Sequence, residues 1–471
     1  MYPVLPVMKH YAWGSYHRLQ SLMASSSLLH DEGIQAQDGR PLAELWYGAH
    51  PQWPSSIATA DHDMQELSAR IAQEPLDMLG ADCNERFGPS LPYLLKILAV
   101  RSPLSLQVHP IAHQARAGFN AEELSGIAHD DTKRSFPDAQ EKNEMVMALD
   151  DFYASVGFRP ITSIIHDLSI IDHEVAQEML SALQHVQDDE GREIDKSVSG
   201  QGKIQEGKDS RGSFGIVSRS NHSNRLRNAL RIAITASQQE GVADSLQCAL
   251  EESDPCNNAI RHAFIAAQQF PSDPSAFALV LMNPVSLCAG EALYIPAGTL
   301  HAYIHGFGAE IMTNSDTVLR AGLTVKHKDI AGALDGIRVW KDGVINPHVL
   351  SGCISPGVQG GLFFPGLDEF ELVVGSIHSM GVGESIQQKC NVEQDARVRR
   401  LVETFERSRP RMVVCIEGAL RCVSDKDSRI LEAGDAVFIP ASDGPLRLES
   451  AQHKSGIHAG PARYLLATTR F

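Results

Sequence analysis

Two segments far apart in the chain repeat one pattern: Cys288 to Gly298 reads CAGEALYIPAG, and Glu432 to Ser442 reads EAGDAVFIPAS. In each, a glycine turn feeds a short strand ending at Ile-Pro-Ala, where proline stops the hydrogen-bond ladder and the chain turns a corner, a recurrent device of small β-barrels. A chain carrying two such corners is expected to build two barrels of related plan. The copies then diverge. The first continues Thr299-Leu-His301-Ala-Tyr303, whereas the second continues Asp443-Gly-Pro-Leu446 and has no histidine at the matching place. One barrel can therefore offer a metal ligand at its corner, and the other only packs.

At 471 residues the chain is too long for one hydrophobic core. Residues 1 to 110 carry short apolar runs such as Tyr93 to Val100 bounded by turn residues, which read as strands. Apolar residues then recur at helical spacing, as in Ile164, Ile165 and Leu168, and again in Leu226, Ala229, Leu230 and Ala233. Between these two stretches, residues 187–213 are charged and rich in Gly and Ser, the composition of a flexible loop. The expected organisation is a discontinuous catalytic barrel over 1–160 and 271–340, a helical insertion over 161–270, and a C-terminal degenerate barrel over 341–471.

A formal charge of −17 argues against broad binding to nucleic acid or to an anionic membrane, both of which need lysine and arginine in excess. An anionic substrate must instead meet a local basic pocket. The eight cysteines form no CxxC pair and no dense framework, so reduced thiols and a cytoplasmic protein are expected. The first residues lack a basic-then-apolar leader, and no run approaches the ~20 apolar residues of a membrane helix.

The segment Leu104-Ser-Leu-Gln-Val-His109 alternates and stops at Pro110. Side chains at i and i+2 of a strand share a face, so Gln107 and His109 reach the same side with backbones about 7 Å apart. Taken alone, a QxH strand is usually an ordinary polar pair, a loop histidine such as His301 is unremarkable, and Glu144 sits in a charged turn, EKNEM. Taken together, two imidazoles, a carboxylate and an amide oxygen make a mixed N/O shell suited to Zn²⁺ at about 2.1 Å, and equally acceptable to Fe²⁺.

Further stretches extend over nearly the whole chain: Tyr11-Ala-Trp-Gly-Ser15, Pro41 to Pro51 (PLAELWYGAHP), Leu95-Lys-Ile-Leu98, Pro103 to Pro110 (PLSLQVHP), Pro296 to Tyr303 (PAGTLHAY), and Glu310 to Thr324 followed by Lys326. In this ordered series the chain closely resembles the type I mannose-6-phosphate isomerase family of the cupin superfamily. The resemblance implies a mainly β fold of cupin-type (jelly-roll) β-barrels with a helical insertion. It implies one Zn²⁺ held by Gln107, His109, Glu144 and His301, the set already assembled from residue types. It places Arg320 and Lys326 near substrate, Trp13 of the first motif beside it, and Lys142 in a segment that corresponds to the family's His-Lys-Pro-Glu-Met. Here that segment reads Glu141-Lys-Asn-Glu-Met145, and Ile111-Ala112 stand where the family has Asp-Lys after His-Pro.

The reaction implied is interconversion of mannose 6-phosphate and fructose 6-phosphate through a cis-enediol. A proton must leave a carbon next to a carbonyl, so an electrophile has to stabilise the developing oxyanion. Arg320 suits the enediolate or the phosphate, with Ser105, Lys142 and Lys326 as further phosphate donors. Glu310 and Asp316 are the first candidates for the general base, and Glu141 and Lys142 follow. Rival readings are another metal cupin, such as an iron-dependent dioxygenase or a different phosphosugar isomerase, and a catalytically reduced sugar-phosphate binder with a regulatory role. The expected partner is a small-molecule sugar phosphate, with no nucleic acid and no membrane, and the expected state is a monomer.

Overall fold

The computed structural model describes residues 1–26, 28, 39–59, 63–184, 213–339, 344–378, 396–451 and 461–471. The loop expected over 187–213 falls almost wholly outside them. Antiparallel strands form two nine-stranded sheets and one three-stranded sheet. The fold is mainly β with a helical insertion, but among the described residues neither large sheet closes on itself through hydrogen bonds. The edge strands Val7–Lys9 and Ala292–Ile295 of one large sheet are short, and beyond its ladder with Glu144–Phe158 the latter makes a single further bridge among the described residues, Tyr294 to Ile345.

The first sheet runs in the order Ala292–Ile295, Glu144–Phe158, His301–Thr313, Tyr93–Val100, Glu44–Gly48, Val7–Lys9. Leu106–Val108 joins it beside His301–Thr313 and also pairs Leu319–Gly322. Every residue of Tyr93–Val100 is buried, as a nearly continuous apolar strand covered on both faces should be. Alternation sorts the faces. Leu106 and Val108 point into a core shared with the helices between Ile161 and Gln269, among them Ile164, Leu168 and Met179. Residues Ser105, Gln107 and His109 are thereby left to the opposite, inner face.

The second large sheet carries His348–Ser355 through Ala462–Thr468 and Ala436–Ile439, then continues into Tyr2–Leu5, Ser56–Ala58 and Met64–Glu66. The beginning of the chain thus lies among the C-terminal strands, with Tyr2 opposite Phe438 and Pro3 opposite Val437. Apolar side chains of both sheets mix in one core, Leu45, Ile97 and Met145 from the first with Leu372, Met412 and Leu465 from the second. The Tyr93 hydroxyl crosses that interface to donate to the Ala467 carbonyl at 3.0 Å.

The repeated corners have the same backbone. Gly290 has φ +90° and Gly434 φ +89°, and each leads into a four-residue strand, Ala292–Ile295 and Ala436–Ile439. Beyond Pro440 the second copy makes a short 3₁₀ turn, Ala441–Asp443, and Asp443 accepts the ammonium of Met1 at 2.8 Å. The first copy opens instead into the strand that begins at His301. Cys83, Cys248, Cys256, Cys288, Cys415 and Cys422 are free thiols, whereas Cys353 is disulfide-bonded, so the expectation of uniformly reduced cysteines fails at that position.

The two corner glycines separate two costs. A Cβ at Gly434 would lie 2.4 Å from the Leu22 carbonyl oxygen, while one at Gly290 would meet open space. Gly434→Ala is therefore predicted to lower unfolding free energy by about 1–3 kcal/mol more than Gly290→Ala, which bears the positive-φ strain alone. Equal losses in denaturant titrations would contradict this.

Candidate metal centre

Antiparallel register brings the sequence-distant ligand candidates into one row. His301 stands opposite Gln107 on one side, and Gln107 stands opposite Arg320 on the other, so these three side chains emerge on the same face. Glu144 begins its strand opposite Ile295 and Met312. The His109, Glu144 and His301 ligand atoms all lie within 4.8 Å of one another, and all three residues are buried. His109 Nε2 is 3.2 Å from Glu144 Oε1, His301 Nε2 is 3.4 Å from Glu144 Oε2, and the Gln107 amide is 3.1 Å from His301 Nε2.

The imidazoles are oriented from behind. His109 Nδ1 donates to the Thr317 carbonyl at 2.8 Å and His301 Nδ1 donates to the Thr299 carbonyl at 2.9 Å. A carbonyl accepts but cannot donate, so both Nδ1 atoms carry a proton, and both Nε2 atoms face Glu144, where a neutral ring offers a lone pair. His109 Nε2 and Glu144 Oε2 are buried without a hydrogen-bond partner. Orphaned polar atoms in a buried site are costly unless something bonds them, and a divalent cation among two lone pairs, a carboxylate and an amide does so. Burial holds His109 neutral, its pKa down at about 4 despite the opposing pull of Glu144. Burial alone would push Glu144 up, but the Lys142 ammonium in contact with it leads the opposing influences, and the carboxyl is kept well below its ordinary value. Neutral imidazoles and an ionised carboxylate are the protonation states that a metal requires.

The remaining expected residues are arranged around this centre. Lys142 is committed to Glu144, Nζ to Oε1 at 3.0 Å, rather than left free for a phosphate. The Ser105 hydroxyl donates to Gln107 Oε1 at 3.4 Å. Glu310 accepts from Lys96 Nζ at 3.0 Å and from the Tyr303 hydroxyl at 2.8 Å, all three being buried. Asp316 pairs with His50 Nε2 at 2.9 Å; burial raises its pKa, but the His50 contact together with Lys142 and Lys96 outweighs burial and holds it at about 2. Lys326 Nζ lies 4.9 Å from the Tyr11 ring centroid, and Trp13 stacks on Tyr11 at 5.6 Å.

Sequence reasoning missed Lys9, Glu44, Trp46, His50 and Lys96. Lys9, Glu44 and Leu98 form one lateral row, and Trp46, Lys96 and Glu310 the next, which puts the charged members on the inner face. Their signal was visible as charges within otherwise apolar strands, Lys96 in YLLKILAV and Glu44 in ELWYG. Burial pushes Glu44 up, opposed by Lys96 and by a hydrogen bond from the Trp46 indole. Lys9 Nζ sits over two indoles, 4.6 Å from Trp46 and 3.4 Å from Trp53, and burial lowers its pKa to about 8. Among the described residues Lys9, Arg320 and Lys326 contact no carboxylate, unlike Lys96 and Lys142.

Comparison with known proteins agrees with this geometry. The family description "Phosphomannose isomerase type I, catalytic domain" matches residues 1–161. Mannose-6-phosphate isomerase of Aspergillus fumigatus is 30% identical over 336 residues, spanning 69% of this chain and 68% of its own length. That of Salmonella typhimurium is 27% identical over 463 residues, spanning 95% of this chain and 96% of its own. A zinc-bound mannose 6-phosphate isomerase crystal structure superposes with TM-score 0.73 at 24% identity, covering 100% of this chain and 99% of the other. A phosphomannose isomerase variant from Salmonella typhimurium superposes with TM-score 0.74 at 24% identity, each chain covered in full. With its inner-face His-Glu-His cluster, its fold and these relatives, the chain belongs to the mannose-6-phosphate isomerase family.

Proposed function

We propose that the protein is a zinc-dependent aldose–ketose isomerase that interconverts mannose 6-phosphate and fructose 6-phosphate through a cis-enediol. The observation that carries this reading is the pair of imidazole Nε2 atoms turned onto a buried carboxylate, beside cations that contact no carboxylate among the described residues. Gln107, His109, Glu144 and His301 hold the ion. Zinc, when bound, supplies the positive charge that stabilises an oxyanion at the O1/O2 end of the open-chain sugar. We place the enzyme in the cytoplasm as a monomer acting in mannose metabolism on a small-molecule substrate. No helix among the described residues is long and apolar enough to cross a membrane.

The side chains divide the remaining work. Arg320 lies beside Gln107 in the same row and is free to fork onto the enediolate or the phosphate. Lys326, Ser105 and the newly placed Lys9 supply donors for the phosphate, with Trp13 and Tyr11 walling the site. Glu310 is the preferred proton carrier, because Lys96 and Tyr303 fix both of its oxygens toward the inner face. Asp316, held near pKa 2, is a weak base at neutral pH, and its role is to position the pocket wall through His50. Lys142 orients Glu144 and lowers its carboxyl pKa.

Metal analysis combined with an isomerase assay tests the reading. One zinc per chain and turnover of mannose 6-phosphate that chelation abolishes are expected, whereas tight sugar-phosphate binding without turnover would favour the regulatory binder. His301→Ala should lose both metal and activity. Arg320→Ala and Glu310→Gln should keep the metal and lower kcat by about 10²–10⁴-fold, the range for removal of an oxyanion partner or proton carrier. Lys9 loses its charge as pH rises through about 8, so kcat/KM should fall across that range and Lys9→Met should remove that limb. An unchanged alkaline limb in the variant would take Lys9 out of substrate binding.

A further inference from the structure

The positions at which this chain departs from the motif it resembles are in contact with one another. Ala112, the first residue of the Ala112–Leu124 helix, donates its amide to Glu141 Oε2 at 3.1 Å. Glu141 Oε1 accepts from Asn143 Nδ2 at 3.3 Å. Asn143 Oδ1 in turn accepts from the Tyr294 hydroxyl at 3.2 Å and from the Ala297 amide at 3.0 Å. The Asn143 amide donates to Thr313 Oγ1 at 2.8 Å, and the Thr313 amide returns to the Asn143 carbonyl at 3.0 Å.

These bonds form a continuous path across the metal centre. One end is the helix start just past His109, the other is the Pro296-Ala-Gly298 corner just before His301, and Glu144 follows Asn143 directly. Asn143 is buried, and its side chain engages both Glu141 and the corner. A proline at 143 would have neither the amide that bonds Thr313 nor the side chain that bonds Glu141, Tyr294 and Ala297.

We propose that Glu141 and Asn143 are paired positioning residues, a hydrogen-bonded strut that holds the His109, Glu144 and His301 segments at ligating separation. The strut explains why Glu141 and Asn143 occur together: the carboxylate accepts from the Asn143 side-chain amide and from the Ala112 backbone amide. It also gives Glu141 a structural task, since its two oxygens are engaged by Ala112 and Asn143. This inference rests on the metal-centre reading above.

The test exchanges the two groups of the strut. Asn143→Asp sets two carboxylates against each other and should weaken zinc binding, measured by chelator competition, by about 10–100-fold, the usual effect of removing a partner behind a metal ligand. Adding Glu141→Gln restores a donor facing an acceptor, and the double variant should recover to within about threefold of wild type. The visible spectrum of the Co²⁺-loaded protein should change in the single variant and return in the double. Should the aspartate variant not fold, Asn143→Ala replaces it, with the same loss of zinc affinity expected. Wild-type affinity in the single variants, or a loss that the exchange does not restore, overturns the strut. A wild-type chain that binds no zinc overturns the metal centre and the strut with it, which separates the two failures.

Discussion

The site depends on two backbone carbonyls. Thr299 and Thr317 each take the Nδ1 proton of a buried imidazole, which fixes the tautomer and aims both Nε2 atoms at Glu144. Without those bonds the rings could present an Nε2 proton where a cation must go. The turn that carries the Thr317 carbonyl is itself held. The Asp138 carboxylate accepts from Ser315 Oγ at 2.8 Å and from the Asp316 amide at 2.9 Å, while the Thr317 hydroxyl donates to the Asp138 carbonyl at 3.2 Å. The turn that orients His109 is thus tied down through three hydrogen bonds to one residue of another loop.

The charge distribution of the pocket departs from that of the chain. A protein with net charge −17 keeps Lys9, Arg320 and Lys326 clear of carboxylate contacts among the described residues, while burying the Lys96–Glu310 pair completely. Burial opposes the Lys96 charge, yet Glu310, Glu44 and Glu144 outweigh it and hold the ammonium above its ordinary pKa. A buried ion pair of this kind is weak evidence for stability but good evidence for fixed geometry, because breaking it strands a charge in the interior. The free cations are what a dianionic substrate needs, and long-range repulsion from the acidic surface makes a local recognition site all the more necessary.

Much of this was legible from residue order. The QxH segment ending at proline put Gln107 and His109 on one face, and the Pro-Ala-Gly corner announced His301; strand register then placed His301 opposite Gln107. The corner repeat also proved real at the level of backbone angles. Glu144 was opaque by itself, since EKNEM reads as a solvated turn; it became a ligand candidate only in company with Gln107, His109 and His301, and the family resemblance implied the same set. Lys96 and Glu44 stood out as charges inside apolar strands, but alternation shows that a face is shared without showing which face is inner. The Lys96–Glu310 pair joins residues 214 positions apart, a separation that no local pattern encodes. For the same reason nothing in the first residues foretold that Tyr2–Leu5 would lie in the sheet of the C-terminal strands.

The central claim is that these four side chains converge on one cation through the Nε2 atoms of both histidines. An anomalous difference map collected at the zinc absorption edge tests it most directly. The account predicts one strong peak per chain bonded by His109 Nε2, His301 Nε2, a Glu144 oxygen and the Gln107 amide oxygen. A peak elsewhere, or coordination through Nδ1 with the Thr299 and Thr317 carbonyls released, would contradict it.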